Sequence, residues 1–503
     1  MQQRRRYDPR RISDPPQGTG LNAVEHFLGA AALAQHGARA ALICGAETLS
    51  YAELAAQVAR AANALRAQGV APGERVLFLM RDTPQFAAAW LGAVYAGAVA
   101  VALNPKLSEA EYRYIQADSG ARLTLSAESD SWRDALRHAS PNAAPQDVGD
   151  HDPAFWLYSS GTTGRPKGII HAHRSLLPAG QAMREVIGVC SGDRTYTTSK
   201  LFFAYALEHG LLGPLATGAT AILEPEWPEA EAVLALVERH RPSAFFSVPT
   251  FYRRLLALGA PRLAPFREVR RFVAAGERLP AQLIEQWRAA TGGEILSLYG
   301  MSETFCACMV TQPGASRGSH TGKPLRGVAA ELRAADGART AAGVTAELWL
   351  RHPALALGYA NRPEQTAAQF RDGWFGTRDL FSAGADGFFT HRGRVDELVK
   401  IAGQWIQPGE LEQAVAEDPA IAEAACVQVT DAEGFDRLAL FVAARGDAAQ
   451  AVAAAGQACE RKLPRFKRPQ WIRSVPELPR TATGKVQRFK LRELIEDELD
   501  AKR

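Results

Sequence analysis

Tyr158-Ser-Ser-Gly-Thr-Thr-Gly-Arg-Pro-Lys-Gly168 is the stretch on which the reading of this chain turns. A polyphosphate needs several backbone N–H groups and hydroxyls converging from a turn that no bulky side chain obstructs. Gly161, Gly164 and Gly168 free the backbone, Ser159, Ser160, Thr162 and Thr163 supply hydroxyls, and Lys167 adds a positive charge. The apolar run Phe155-Trp-Leu-Tyr158 reads as a buried strand and the residues from His173 onward as a helix, so the loop falls where an anion site is expected. A plain surface linker would need no apolar strand on its N-terminal side. Nor is this a Walker A loop, because Pro166 stands where that motif has glycine and Gly168 where it has serine or threonine. The loop marks a chain that handles ATP.

The bulk properties are those of a soluble globular protein with room for two or more domains: 503 residues, 47% hydrophobic and 22% charged. Lys and Arg number 58 against 54 acids, an excess of 4. That is too small to argue for nucleic acid, yet it suits a chain that accepts anionic ATP. The uncharged run Phe86–Leu103 touches the lower limit of a membrane span, but Gly97 splits it into an Ala-rich helix and a Val99–Leu103 strand, and Asn104-Pro105 stops it. No membrane partner is therefore expected. Met1-Gln-Gln-Arg-Arg-Arg6 is basic without the apolar segment of a secretory signal, and residues 1–20 read as a flexible tail. Six cysteines without a clustered framework fit a reduced, cytoplasmic protein. Neither Cys306-Ala-Cys308 nor His171-Ala-His173 has the further ligands a metal site requires.

The strand-like runs Arg75–Leu79, Val99–Leu103 and Thr220–Leu223 alternate with Ala-rich helical stretches, which predicts an α/β class with helix-covered parallel β-sheets in a large N-terminal domain, residues 21–393. Beyond Gly393-Arg-Val-Asp396 the chain reads as a smaller α+β domain, 397–503, closing on a basic helix over Phe489–Leu499. The Ala-rich tract Asp447–Cys459 reads as an exposed helix.

The phosphate loop resembles that of the adenylate-forming enzymes, the superfamily of acyl-CoA synthetases, adenylation domains and firefly-type luciferases. Five further blocks follow in that superfamily's order: Ala274-Ala-Gly-Glu-Arg-Leu-Pro280, Leu298-Tyr-Gly-Met-Ser-Glu-Thr304, Trp374-Phe-Gly-Thr-Arg-Asp379, Gly393-Arg-Val-Asp-Glu-Leu-Val-Lys-Ile-Ala-Gly403 and Pro479-Arg-Thr-Ala-Thr-Gly-Lys485. The resemblance covers nearly the whole chain from Thr48-Leu-Ser-Tyr-Ala-Glu-Leu54 onward.

It implies ATP and magnesium as cofactors and coenzyme A as co-substrate. Ser159, Ser160, Gly161, Thr162, Thr163, Gly164 and Lys167 would bind the phosphates, and Gly276, Glu277 and Tyr299 match the adenine segments. Glu303 matches the magnesium-binding glutamate, and Ser302 keeps a hydroxyl where the family most often has threonine. Asp379 matches the ribose-binding aspartate and Arg394 the arginine that assists it. Lys485 matches the lysine that bridges carboxylate and α-phosphate during adenylation. Asp396 matches a hinge, giving 394–396 as the junction, and Gly403 lies in the loop lining a pantetheine tunnel after the small domain rotates.

Lys200-Leu-Phe-Phe-Ala-Tyr205 and Lys400-Ile-Ala-Gly-Gln-Trp-Ile-Gln-Pro408 look most like the benzoate-CoA ligase branch. Phe203, Ala204, Tyr205, Gly300 and Cys306, with the wall running to Cys308, would form a small, flat, mostly apolar pocket for an aryl ring. No aspartate accompanies Phe202-Phe-Ala-Tyr205 to pair with an ammonium, which argues against an α-amino acid. The expected activity is an ATP-dependent ligase joining an aryl carboxylic acid to coenzyme A through an acyl adenylate. Two readings stay open beside it: an adenylating enzyme that loads an acyl carrier protein, and a non-catalytic nucleotide or acyl-adenylate binder. Either a monomer or a homodimer is compatible with the sequence.

Overall fold

The computed structural model describes residues 22–126, 129–160, 165–316, 320–401, 404–416, 418–431, 433–480 and 486–500. The chain divides into two compact units, one of Met1–Glu331, Trp349–Thr377 and Ala383–Thr390, the other of Leu332–Leu348, Arg378–Ser382 and His391–Arg503.

Two sheets build the first unit. In the six-stranded sheet the strands run in the order Gly358–Tyr359, Pro166–Ala172, Pro153–Ser160, Val99–Ala102, Arg75–Leu79, Leu123–Ser126. In the nine-stranded sheet the strands Ile295–Tyr299, Arg271–Ala274, Ala244–Ser247, Arg194–Thr197, Thr220–Leu223 and Ala40–Cys44 are parallel, with antiparallel strands at both edges. Val99–Ala102, Thr220–Leu223 and Ala244–Ser247 are buried at every residue, as parallel strands covered on both faces must be, so they appear in sequence as near-continuous apolar runs with a hydroxyl at one end of the latter two. Under the nine-stranded sheet, the ring of Trp287 meets Tyr252, Phe266 and Phe272 edge-on at 4.8, 5.3 and 5.2 Å.

Helix Tyr51–Ala67 starts at a reciprocal cap in which Ser50 and Glu53 satisfy each other's backbone N–H groups. It buries Leu54, Val58, Ala61, Ala62 and Leu65, and it lies against helix Pro84–Tyr95, which is capped by Thr83. Gly97, at φ 77°, ends the second helix and strand Val99–Ala102 follows, so the apolar run Phe86–Leu103 divides as expected. Among the described residues no helix is long and apolar enough to cross a membrane.

One local expectation is overturned. The segment after the phosphate loop is strand Pro166–Ala172, paired antiparallel with Pro153–Ser160 in a register that sets Ser159 opposite Lys167. From His173 a single 3₁₀ turn forms, to Leu176, and helical turns resume only at Gln181, running into the π-helix Met183–Ile187. Pro178, and Gly180 at φ 82°, prevent its extension into a helix. The described residues on either side of the phosphate loop are thus two antiparallel strands, and a strand rather than a helix N-terminus follows it.

The second unit contains a three-stranded sheet of Ile421–Thr430, Asp436–Ala444 and Trp471–Val475, the first pair antiparallel and the second parallel. Helices Pro408–Val415 and Ala448–Lys462 contribute to one apolar layer with Ile406, Leu440 and Val442, and Leu491 and Ile495 of helix Arg488–Asp500 contribute to another with Val427 and Phe441. The Ala-rich tract is thus not an exposed helix. Ala451, Ala455, Ala458 and Cys459 recur at helical spacing and are buried.

Helices Tyr51–Ala67 and Pro84–Tyr95 meet at Gly92, where an added Cβ would fall 2.5 Å from Ala61 Cβ and 3.0 Å from Val58 O. Gly92→Ala is expected to destabilise the protein by about 1–3 kcal/mol through overpacking, despite alanine's better helix propensity. A urea titration monitored by tryptophan fluorescence checks this, and an unchanged midpoint would contradict it.

Candidate active site

Lys167 lies on the second strand of the hairpin, and its Nζ donates to Glu303 Oε1 at 2.9 Å. Tyr359 Oη donates to the same oxygen at 2.8 Å and also contacts Gln369 Oε1, while the Lys167 ammonium sits 4.1 Å from the centre of the Tyr359 ring. Glu303 is buried. Burial pushes its carboxyl up, but the Lys167 ammonium beside it and the hydrogen bonds from Lys167 and Tyr359 more than offset this and hold it below the ordinary glutamate range. The site thus keeps one ionised carboxylate beside the loop end of the strand pair, already paired with a cation.

The segment bearing Glu303 is held from several sides. His171 Nε2 donates to Ser302 O at 2.8 Å, and Ala356 N donates to Glu303 O at 2.9 Å. Phe305 occupies φ 55°, a left-handed conformation uncommon outside glycine. Its ring packs edge-on against Phe155 at 4.8 Å, and Phe155 stacks on His171 at 4.7 Å. The apolar strand that leads into the phosphate hairpin therefore also positions the Glu303 segment.

Gly276, at φ 83°, and Glu277 follow strand Arg271–Ala274, whose parallel neighbour Ile295–Tyr299 ends at Tyr299. All three lie at carboxyl ends of adjacent parallel strands, where open α/β sheets bind ligands. Glu277 accepts from Thr250 N and Thr250 Oγ1, both at 3.2 Å. Ala204 and Tyr205 open helix Ala204–Leu207, with Phe203 at its N-cap, and the Tyr205 hydroxyl reaches Val273 O at 3.3 Å and Ser247 O at 3.4 Å. A Cβ at Gly300 would sit 3.5 Å from Ala307 Cα and Cys306 O. Glu208, one turn beyond Tyr205, accepts from Ala307 N at 3.0 Å. Glu208 thus links the segment of Ala204 and Tyr205 to the segment of Cys306 and Ala307.

In the second unit, Arg394 donates to Asp379 Oδ1 at 2.8 Å, and His391 lies 3.9 Å from the same oxygen. Asp396 falls in the single turn Val395–Glu397, with its side chain outside the described residues. Gly161, Thr162, Thr163, Gly164, Gly403, Lys485 and the side chain of Ser160 also lie outside them.

Sequence reasoning missed Tyr359 and Gln369, which no local pattern sets apart. It also missed Glu208, His209 and His352. For the first two a signal existed, since Glu208-His209 interrupts the apolar run Tyr205–Leu212, and polar residues at core positions have to be satisfied.

Residues 30–360 match the AMP-binding enzyme family and residues 410–485 its C-terminal domain. The chain belongs to the AMP-binding enzymes. Over 94% of its length it is 40% identical to a 3-hydroxybenzoate–CoA ligase of Aromatoleum sp. (strain CIB), covering 97% of that protein. It is also 40% identical to a 3-hydroxybenzoate–CoA/4-hydroxybenzoate–CoA ligase of Thauera aromatica, over 95% of this chain and 98% of the relative. Among solved structures, the anthranilate CoA ligase AuaEII in complex with anthranoyl-AMP superposes with a TM-score of 0.88 at 31% identity, over 96% of this chain and 98% of that one. The AMP-binding enzyme described here is an acid–thiol ligase of the adenylate-forming superfamily, in its aryl-CoA ligase branch.

Among the described residues no group of three or more His, Cys, Asp or Glu side chains could hold a metal ion. A magnesium ion held by one carboxylate and nucleotide phosphates needs no such group, and an ionised, buried Glu303 fits that role.

Burial pushes His171, His173, His209 and His352 down to about 4. They stay neutral in the fold but take up protons on unfolding below about pH 6.5, so each contributes stability that is lost as pH falls from about 6.5 toward 4. His173 accepts from Ala23 N through Nδ1, a bond that asparagine can keep without titrating. His173→Asn should lower the slope of unfolding free energy against pH in that window by about one proton, about 1.4 kcal/mol per pH unit. Denaturant titrations at several pH values measure the slope, and an unchanged slope would refute this.

Proposed function

We propose that this enzyme converts an aryl carboxylic acid of the benzoate type into its coenzyme A thioester. The observation that carries the reading is the buried, ionised Glu303 shared by Lys167 and Tyr359 beside the loop end of the strand pair. The two hydroxybenzoate–CoA ligases, aligned over nearly the whole chain, support the substrate class.

A carboxylate is a poor electrophile, and two anions must meet before it can be activated, so the barrier is largely electrostatic. In the first half-reaction the acid's oxygen attacks the α-phosphorus of ATP, and the bond to the bridging oxygen breaks to release pyrophosphate. Lys167 and the hairpin hydroxyls and amides would hold the phosphates. Glu303 would hold magnesium, whose charge would offset that of the phosphates, and Ser302 would add a hydroxyl nearby. Asp379, steadied by Arg394, would accept hydrogen bonds from the ribose hydroxyls, with Gly276, Glu277 and Tyr299 around the adenine. Lys485 would bridge carboxylate and α-phosphate. In the second half-reaction the thiol sulfur attacks the acyl carbon, AMP departs with the electrons of the acyl–oxygen bond, and the thiol proton is released. Rotation about a hinge at 394–396, through Asp396, would withdraw Lys485 and bring the segment of Gly403 to the pantetheine arm.

Phe203, Ala204, Tyr205, Gly300 and Cys306 would enclose the ring. The domain division at 393, the cytoplasm as compartment, and coenzyme A rather than a carrier protein as acceptor belong to the same proposal, for a monomer or a homodimer.

Purified enzyme incubated with ATP, magnesium and a panel of benzoates and linear acids, with and without coenzyme A, is expected to release pyrophosphate and form an aryl-CoA detectable by mass. Adenylate accumulating without thioester would point to carrier loading, and no pyrophosphate from any acid would overturn the proposal. Glu303→Gln is expected to slow adenylation about 100-fold or more by removing the carboxylate charge. Lys485→Ala should lose adenylation to a similar degree, about 100-fold, yet still convert a supplied aryl adenylate to thioester. Equal loss of both half-reactions would remove Lys485 from the role assigned to it.

A further inference from the structure

Ala307 has both of its backbone groups taken by buried side chains. Its N–H donates to Glu208 Oε2 at 3.0 Å, and its carbonyl lies 3.1 Å from His352 Nε2. His352 Nδ1 accepts from Ala354 N at 2.9 Å, so the neutral ring carries its proton on Nε2 and donates to Ala307 O. Glu208 and His352 are 1% and 6% exposed and Ala307 is 2% exposed. Neighbouring Cys306 and Cys308 direct their own N–H groups to Thr304 O at 2.6 Å and Tyr299 O at 2.8 Å. Ala307 is therefore fixed by two side chains, supplied by distant parts of the chain.

Glu208 opens a π-helical turn, Glu208–Leu212, directly after the helix of Ala204 and Tyr205. Such turns shift side chains off the regular helical register and recur at functional positions. Here the shift accompanies a carboxyl placed among apolar residues and bonded to the segment that Gly300 approaches. Burial pushes Glu208 up to about 8 and neighbouring His209 down to about 4, so His209 supplies no compensating charge. A buried neutral carboxyl is expensive to keep for packing alone, where leucine would serve.

We propose that Glu208 is a positioning residue for the acid-binding half-reaction: through the Ala307 amide it fixes the Cys306–Ala307 wall against the Phe203–Tyr205 wall and so sets which ring substituents are accepted. His352 completes the clamp from the carbonyl side. This rests on the reading that these two walls enclose the aryl ring. The clamp fixes the separation of the walls by hydrogen bonds rather than by apolar contact, so substitution at Glu208 alters selectivity before it alters nucleotide binding.

The test compares wild-type enzyme with Glu208→Gln, Glu208→Ala, Glu208→Asp and His352→Phe, measuring kcat and KM for ATP and for ortho-, meta- and para-substituted benzoates, with a thermal melt for each variant. Glu208→Gln keeps an oxygen acceptor for Ala307 N and should stay within about threefold of wild type with the same order of preference. Glu208→Ala and His352→Phe should raise KM for the acid about tenfold or more, leave KM for ATP within about twofold, and flatten the preference among ring positions. Parallel losses toward ATP and acid, with the order unchanged, would reduce Glu208 to a folding role and overturn the proposal. If Glu208→Ala does not fold, Glu208→Asp decides, since it withdraws the acceptor by one methylene: flattened preference supports the clamp, and an unchanged order overturns it. Wild-type enzyme that accepts only non-aryl acids would sink the aryl reading instead, and the Glu208 proposal would then stand or fall on the same KM split with the accepted acid.

Discussion

A carboxylate taken out of water has to be paired, and the site is arranged around meeting that requirement at Glu303. Its Oε1 accepts from both Lys167 and Tyr359, which come from the phosphate hairpin and from the edge strand Gly358–Tyr359 of the same sheet. Breaking such a pair by removing one member leaves a buried charge uncompensated, a heavier loss than the pair contributes when intact. The hairpin, its edge strand and the Glu303 segment are therefore coupled through one oxygen atom.

The same segment shows how neutral buried groups serve where ions would be too costly. His171 holds Ser302 O, His352 holds Ala307 O and Glu208 holds Ala307 N, and burial keeps each of the three in its uncharged form near neutral pH. Gly300 to Cys308 thus has an ionic anchor at Glu303 and neutral anchors on either side. The positive φ of Phe305 is tolerated because aromatic packing with Phe155 and these backbone bonds determine the local conformation.

Much of this is legible in the chain itself. Glycine and hydroxyl residues beside Lys167 announce a phosphate loop, and the near-continuous apolar runs of the parallel strands appear because those strands are covered on both faces. The helix expected after His173 fails for a local reason. Pro178 and Gly180 interrupt the residues beyond the 3₁₀ turn. The Ala-rich helix Ala448–Lys462 reads as exposed because small residues give a weak amphipathic contrast, although Ala451, Ala455 and Ala458 keep the spacing of a buried face.

The sequence by itself determined the family, the order of its motifs and the chemical types in the site, because phosphate binding, ribose recognition and metal charge each demand particular side chains at short spacing. Only the tertiary structure decided which groups share an atom or a peptide. Tyr359 reaches Glu303, and Glu208 and His352 meet at Ala307, through contacts between segments far apart in the chain. Burial, which sets whether each of those groups is ionised or neutral, likewise belongs to the folded packing and to no local pattern.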